Sequence, residues 1–195
     1  MSEISNVSEN PIDGVTSNLS TERNSCGVSS VAITVSPVLM KQTLVHELTH
    51  VFELTFNEYF NSINDWDKWT KLNPDGFEYD NTYDYYFSDS DKSTIDYTYQ
   101  YDGDPNDAYF YDRYAKTFEI EDRARIFENL FTASDSETSA EWLRSPHLMK
   151  KAELICDMLH TGFKSVSSTD SVYWEQNLQS AKAKIQTTSA ESLSN

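Results

Sequence analysis

The chain has 195 residues with 15 Lys and Arg against 32 Asp and Glu, a net charge of −17, which argues against nucleic acid or an anionic membrane surface as the main partner because both would repel it. Its length suits one domain with a sizeable core, and no apolar run approaches the ~20 residues needed to span a bilayer. Cys26 and Cys156 lie far apart with no C-x-x-C, so they define no redox or metal motif, and Cys156, in an apolar helical stretch, reads as a small buried hydrophobe.

Met1 to Glu22 is rich in Ser, Asn and Glu and lacks the basic and apolar regions of a secretory signal. Residues 1–25 are expected to be a disordered or loosely docked leader, 26–186 one folded domain, and 187–195 a disordered tail. Val31-Ala32-Ile33-Thr34-Val35 is β-branched and alternating, the pattern of a short strand. Ser36-Pro37 then supplies an N-cap and a first-turn proline. From Val38 to about Tyr59, Leu44, Val45, Leu48, Val51, Phe52, Thr55 and Phe56 keep a 3.6-residue period, which predicts an amphipathic core helix.

Residues 61–113 interleave Trp and Tyr with Asp and Asn. A short helical piece is expected around Asp65 to Leu72, closed by the turn Pro74-Asp75-Gly76. Ile95, Tyr97, Tyr99 and Tyr101 alternate with polar residues, as in a half-buried strand pairing with Tyr83-Tyr85-Phe87. The acidic run Asp102 to Asp107 begins like a calcium loop but has Asp107 at its sixth position and Arg113 at its twelfth, so it reads as a solvated loop. Ile120, Ala124, Phe127 and Phe131 predict a second core helix from Glu119 to about Phe131. After a polar connection, Ser145-Pro146 opens a third helix that ends near Gly162, and a further helix is expected around Val172 to Ile185. The elements together predict an α+β domain, mostly helical with a small sheet.

The first core helix contains His46-Glu47-Leu48-Thr49-His50. Residues four apart share a helix face, so both imidazoles can address one metal ion while Glu47 stands beside it. This H-E-x-x-H pattern resembles that of the zincins, the zinc metallopeptidases named for this helix. Two histidines do not complete a catalytic zinc, which commonly takes three protein ligands and leaves a fourth position for water. No third histidine follows at short spacing, so a later carboxylate is expected: Glu119, Glu121, Asp122 or Glu128, with Glu137, Glu141, His147 and His160 as outlying alternatives. Glu53, one turn beyond His50, is expected on a solvated helix edge.

The stretch Tyr114 to Phe127 resembles the second motif of glutamate-ligated zincins. In the branch that includes anthrax lethal factor and the clostridial Pro-Pro endopeptidases, the first Glu of E-x-x-A-E is the third ligand and a tyrosine precedes it by seven residues. Glu121 and Tyr114 have that spacing. The segments Leu72 to Tyr79 and Glu121 to Ala124 are also similar to those of a group of uncharacterised bacterial zinc metallopeptidases, a likeness covering about residues 30 to 180. The resemblance implies a zincin-like domain with Zn2+ held by His46, His50 and Glu121. It implies hydrolysis of peptide bonds, as an endopeptidase rather than an exopeptidase, with Glu47 as general base and Tyr114 as donor to the oxyanion. Similar proteins are often exported, which leaves the location open. At the position of the branch's second Glu, four residues after the ligand, this chain carries Arg125. The alternative from another class is a degenerate zincin that serves as a protein-binding module.

Overall fold

The computed structural model describes residues 14–18, 31–35, 40–59, 66–83, 96–100, 102–133, 137–163 and 172–192. Five helices carry the described part of the chain: α1 (Met40–Tyr59), the short α2 (Trp66–Thr70), α3 (Glu119–Thr132), α4 (Pro146–Gly162) and α5 (Tyr173–Ser192). Short 3-10 turns lie at Pro105–Asp107, Tyr114–Lys116 and Glu137–Arg144. Strands β1 (Gly14–Asn18) and β2 (Val31–Val35) pair antiparallel, Gly14 opposite Val35 and Asn18 opposite Val31. β1 falls where the sequence shows no periodicity, and α5 runs on past Thr187 to Ser192.

The α+β, zincin-like architecture expected from the sequence is therefore corrected. Among the described residues the protein is overwhelmingly helical, and its strands amount to one two-stranded ribbon set against α1. Among its described residues, 96–100, the aromatic stretch forms no strand, only an isolated bridge from Thr98 to Phe110. Tyr97 takes a left-handed backbone conformation, φ 53°, which interrupts an extended run and which a bulky residue adopts rarely. The segment instead bonds to the residues before α3, Tyr99 N–H to Phe110 O at 2.8 Å and Tyr109 N–H to Tyr97 O at 2.8 Å. Tyr97 meets Tyr109 edge-on and Tyr99 stacks on Tyr111, so the alternating tyrosines report aromatic pairing between two irregular segments. Of the supposed partner strand, Tyr85 and Phe87 lie outside the described residues.

The core lies among α3, α4 and α5, where Ile126, Leu130, Leu148, Ile155, Leu159 and Leu178 are buried together. α4 begins where the sequence predicts: the Ser145 hydroxyl accepts from the backbone N–H groups of His147 and Leu148 and donates to Ala108 O, satisfying donors that the first helical turn leaves unpaired. Cys156 is buried on α4, where desolvation pushes its thiol up to about 12. α1 reaches this core through Phe52, which stacks on Phe127 and meets Phe163 edge-on.

One buried polar cluster fixes the start of α3. Asp122 Oδ2 accepts from Lys151 Nζ at 2.7 Å, Tyr79 Oη at 2.8 Å and Trp69 Nε1 at 2.9 Å. Lys151 has no exposed surface; its ammonium lies over the Phe110 ring at 4.2 Å and donates to Tyr109 O at 2.8 Å. Burial lowers the Lys151 pKa against the opposing pull of Asp122. Removing one member of such a pair strands the other charge in the dry interior, a cost of about 3–5 kcal/mol. Asp122→Ala is therefore expected to lower the thermal midpoint severely, and Asp122→Leu combined with Lys151→Met to recover much of the loss. A double variant no more stable than Asp122→Ala would contradict this account.

Candidate metal centre

α1 and α3 make the most extensive helix contact in the described structure, and the site lies between them. Apart from Phe52, the described side chains that α1 turns most deeply inward are polar: His46, Glu47, Thr49 and Glu53 are buried, whereas Leu44 is 39% exposed. The apolar period thus locates the helix without identifying its inner face. Thr49 donates to Val45 O at 2.9 Å, which satisfies its hydroxyl locally. Glu53 does not lie on a solvated edge. It accepts from Arg123 Nε and Nη2 across the helix contact, and Arg123 also pairs with Glu119 one turn back on α3.

The donor atoms of His46, His50 and Glu121 lie within 4.8 Å of one another. Glu121 Oε2 is 2.9 Å from His46 Nε2 and 3.5 Å from His50 Nε2, and the two imidazoles meet edge-on with centroids 5.0 Å apart. A tetrahedral zinc with bonds of 2.0–2.2 Å separates its donors by about 3.4 Å. Two nitrogens and one carboxylate oxygen converging at these distances fit that ion with only small adjustments. Both histidines present Nε2 to Glu121 Oε2, and the four-residue spacing puts their rings on one helix face.

The remaining carboxylates are held elsewhere. Asp122, one residue and about 100° further around α3, turns away to Lys151. Glu119 pairs with Arg123, Glu141 with Arg144, and His160 with Glu175, while His147 stacks on Tyr109 at 3.6 Å. The Glu137 side chain lies outside the described residues.

Glu128 stands on the far side of His46, with Oε2 3.3 Å from Nδ1. Arg125 fixes this carboxylate, donating from Nη1 to Glu128 Oε2 at 2.8 Å while its other arm pairs with Asp112 at 3.0 Å. His46 therefore has a carboxylate partner, supplied two turns after Glu121 and clamped by Arg125. An Nδ1 partner orients an imidazole for ligation through Nε2.

Tyr114 lies beside the centre, its ring 5.9 Å from that of His46. Burial raises its pKa, and the neighbouring Glu121 carboxylate adds to the effect, so its hydroxyl keeps its proton at neutral pH. Glu47 follows His46 on α1 and is buried. Sequence reasoning missed Tyr83. Its hydroxyl donates to Glu121 Oε1 at 2.7 Å, and only its membership of the aromatic stretch marked it.

Electrostatics set a pH window. Burial works to lower the His46 pKa, but Glu121 and Glu128 outweigh it and raise it from 6.5 to about 9. Burial likewise works to raise Glu121, and hydrogen bonds from His46, His50 and Tyr83 overcome it and hold the carboxyl well below its usual range. A raised histidine pKa adds stability that is full below about 6.5 and is lost as pH rises through about 9. The metal-free protein is thus expected to weaken between those limits. Zinc affinity should rise over the same interval by about tenfold per pH unit, since the ion must displace the His46 proton. Competition titrations at several pH values check this; affinity that levels off near pH 6.5 would contradict it.

Comparisons with protein-family models, curated proteins and solved structures find no match for this chain. No helix among the described residues is long and apolar enough to cross a membrane.

Proposed function

We propose that the protein is a zinc-dependent peptidase acting on a peptide or protein substrate. The observation that carries this reading is the convergence of His46 Nε2, His50 Nε2 and Glu121 Oε2, where α1 also buries Glu47, the residue after His46. Zn2+ held by these three side chains would polarise a water molecule and lower its pKa to about 7. Glu47 accepts the proton as the water oxygen attacks the scissile carbonyl carbon, and returns it to the departing amine. Tyr114, held in its protonated form, donates a hydrogen bond to the oxygen that gains negative charge, an interaction strongest in the transition state. Glu128 holds the His46 ring in place through Nδ1. Retention of the full H-E-x-x-H, with an acid that can serve as general base between the two histidines, favours a hydrolase over a degenerate binding module.

The test is metal content followed by cleavage. Protein purified without chelator is expected to carry about one zinc per chain and to cleave members of a peptide library internally. A chelator should stop cleavage and added zinc restore it. Absence of zinc and of zinc uptake would overturn the reading.

A further inference from the structure

The segment leading to Tyr83 is bound along the entrance to α3. Asp80 N–H donates to Lys116 O at 3.2 Å and Asn81 N–H to Thr117 O at 2.8 Å. Asn81 adopts the left-handed conformation, φ 54°, which asparagine tolerates better than most residues, and the chain turns there. Tyrosines on either side of this turn reach neighbouring carboxylates on the first turn of α3. Tyr79 donates to Asp122 at 2.8 Å on the core side, and Tyr83 to Glu121 at 2.7 Å on the histidine side. The Tyr83 ring stacks on Tyr114, centroids 5.8 Å apart at 18°, and packs on Phe118 at 4.7 Å. The ring is thus fixed, although the residue remains 40% exposed.

The two Glu121 oxygens therefore have separate partners: Oε1 takes the Tyr83 hydroxyl, and Oε2 faces His46 and His50. We infer that Tyr83 is a positioning residue that makes Glu121 a one-oxygen metal ligand. The inference rests on the zinc reading above. A carboxylate with both oxygens free can turn about its terminal bond and grip an ion with both, and the second oxygen then competes for the position that water needs. Tyr83 blocks that rotation by holding Oε1, and the stacked Tyr114 ring keeps the phenol in place.

Substitution with Co2+ reads this directly, because its visible absorption is intense in four-coordinate sites and weaker with a fifth ligand atom, so that it reports coordination geometry. Tyr83→Phe keeps the ring and removes only the donor. The Co2+ form of this variant is expected to lose visible intensity relative to the unaltered protein, with turnover of the zinc form falling about 10–100-fold, the range for partners of metal ligands. Tyr79→Phe serves as the comparison: it removes the equivalent bond to Asp122 and should lower thermal stability while leaving the Co2+ spectrum unchanged. An unchanged spectrum in Tyr83→Phe, or the same change in both variants, would overturn the role given to Tyr83 while leaving the metal centre in place. Failure of the unaltered protein to bind Co2+ or Zn2+ would overturn both readings.

Discussion

Glu121→Ala is expected to reduce zinc affinity by well over a hundredfold, because it removes the carboxylate oxygen that both histidines face, a larger change than the 10–100-fold typical of losing a ligand's hydrogen-bond partner. Glu121 Oε2 is within 3.5 Å of both Nε2 atoms, and no other described carboxylate is placed with them. The neighbouring substitutions should separate by position. Glu128→Gln is expected to weaken binding about 10–100-fold, since the His46 ring loses its ionised Nδ1 partner. The sequence offers Glu128 as one candidate third ligand but gives no sign that it partners a ligand histidine. Glu119→Ala should change affinity little, because its carboxylate is committed to Arg123. Isothermal titration of the three variants checks the order. Retention of full affinity by Glu121→Ala, with loss in either of the others, would show that the ligand has been misassigned.

Glu47→Gln should keep the metal and lose about 10²–10⁴ in turnover, the usual contribution of a positioned general base. The amide is nearly isosteric and touches no ligand assignment, so zinc content should remain about one per chain while kcat falls. Tyr114→Phe is expected to lower kcat less and to leave KM nearly unchanged, since its hydroxyl acts chiefly when charge develops on the carbonyl oxygen. Progress curves on one cleaved peptide, with metal analysis of each sample, provide the check. If Glu47→Gln and the unaltered protein turn over peptide equally, hydrolysis does not belong to this centre and the binding-module reading takes its place.

The helices were legible because their signals are local. The apolar period near residue 50, the Ser145-Pro146 start and the Ala124-Phe127 stripe need nothing beyond a turn or two of chain. H-E-x-x-H was legible for the same reason. What the sequence hid is set by distant contacts. Leu44 is exposed while Glu53 is buried, because the inner face of α1 is chosen by what α3 offers, and α3 offers Glu121, Arg123 and Glu128. The role of Glu128 depends on Arg125 and Asp112 holding it in place, and that of Tyr83 on a turn 38 residues before its partner. The break in the extended run at Tyr97 is a backbone conformation that no alternation pattern reveals. Sites of this kind are where local patterns are expected to fail, since chemistry puts charge where packing alone would put apolar groups.

The polar inner face of α1 also bears on how the protein assembles. His46 and Glu121 stand 75 positions apart, and apart from Phe52 the described contacts that draw their helices together are largely charged. Oily surfaces associate with little regard to protonation, whereas paired charges loosen as protons move. An ion gripped by both helices would close the intervening stretch of chain in the manner of a covalent staple, restricting the unfolded ensemble most because the loop is long. Loading the site would then tighten the docking of α1, which without an ion rests on Phe52 and on the pairs that His46 and Glu53 make with α3.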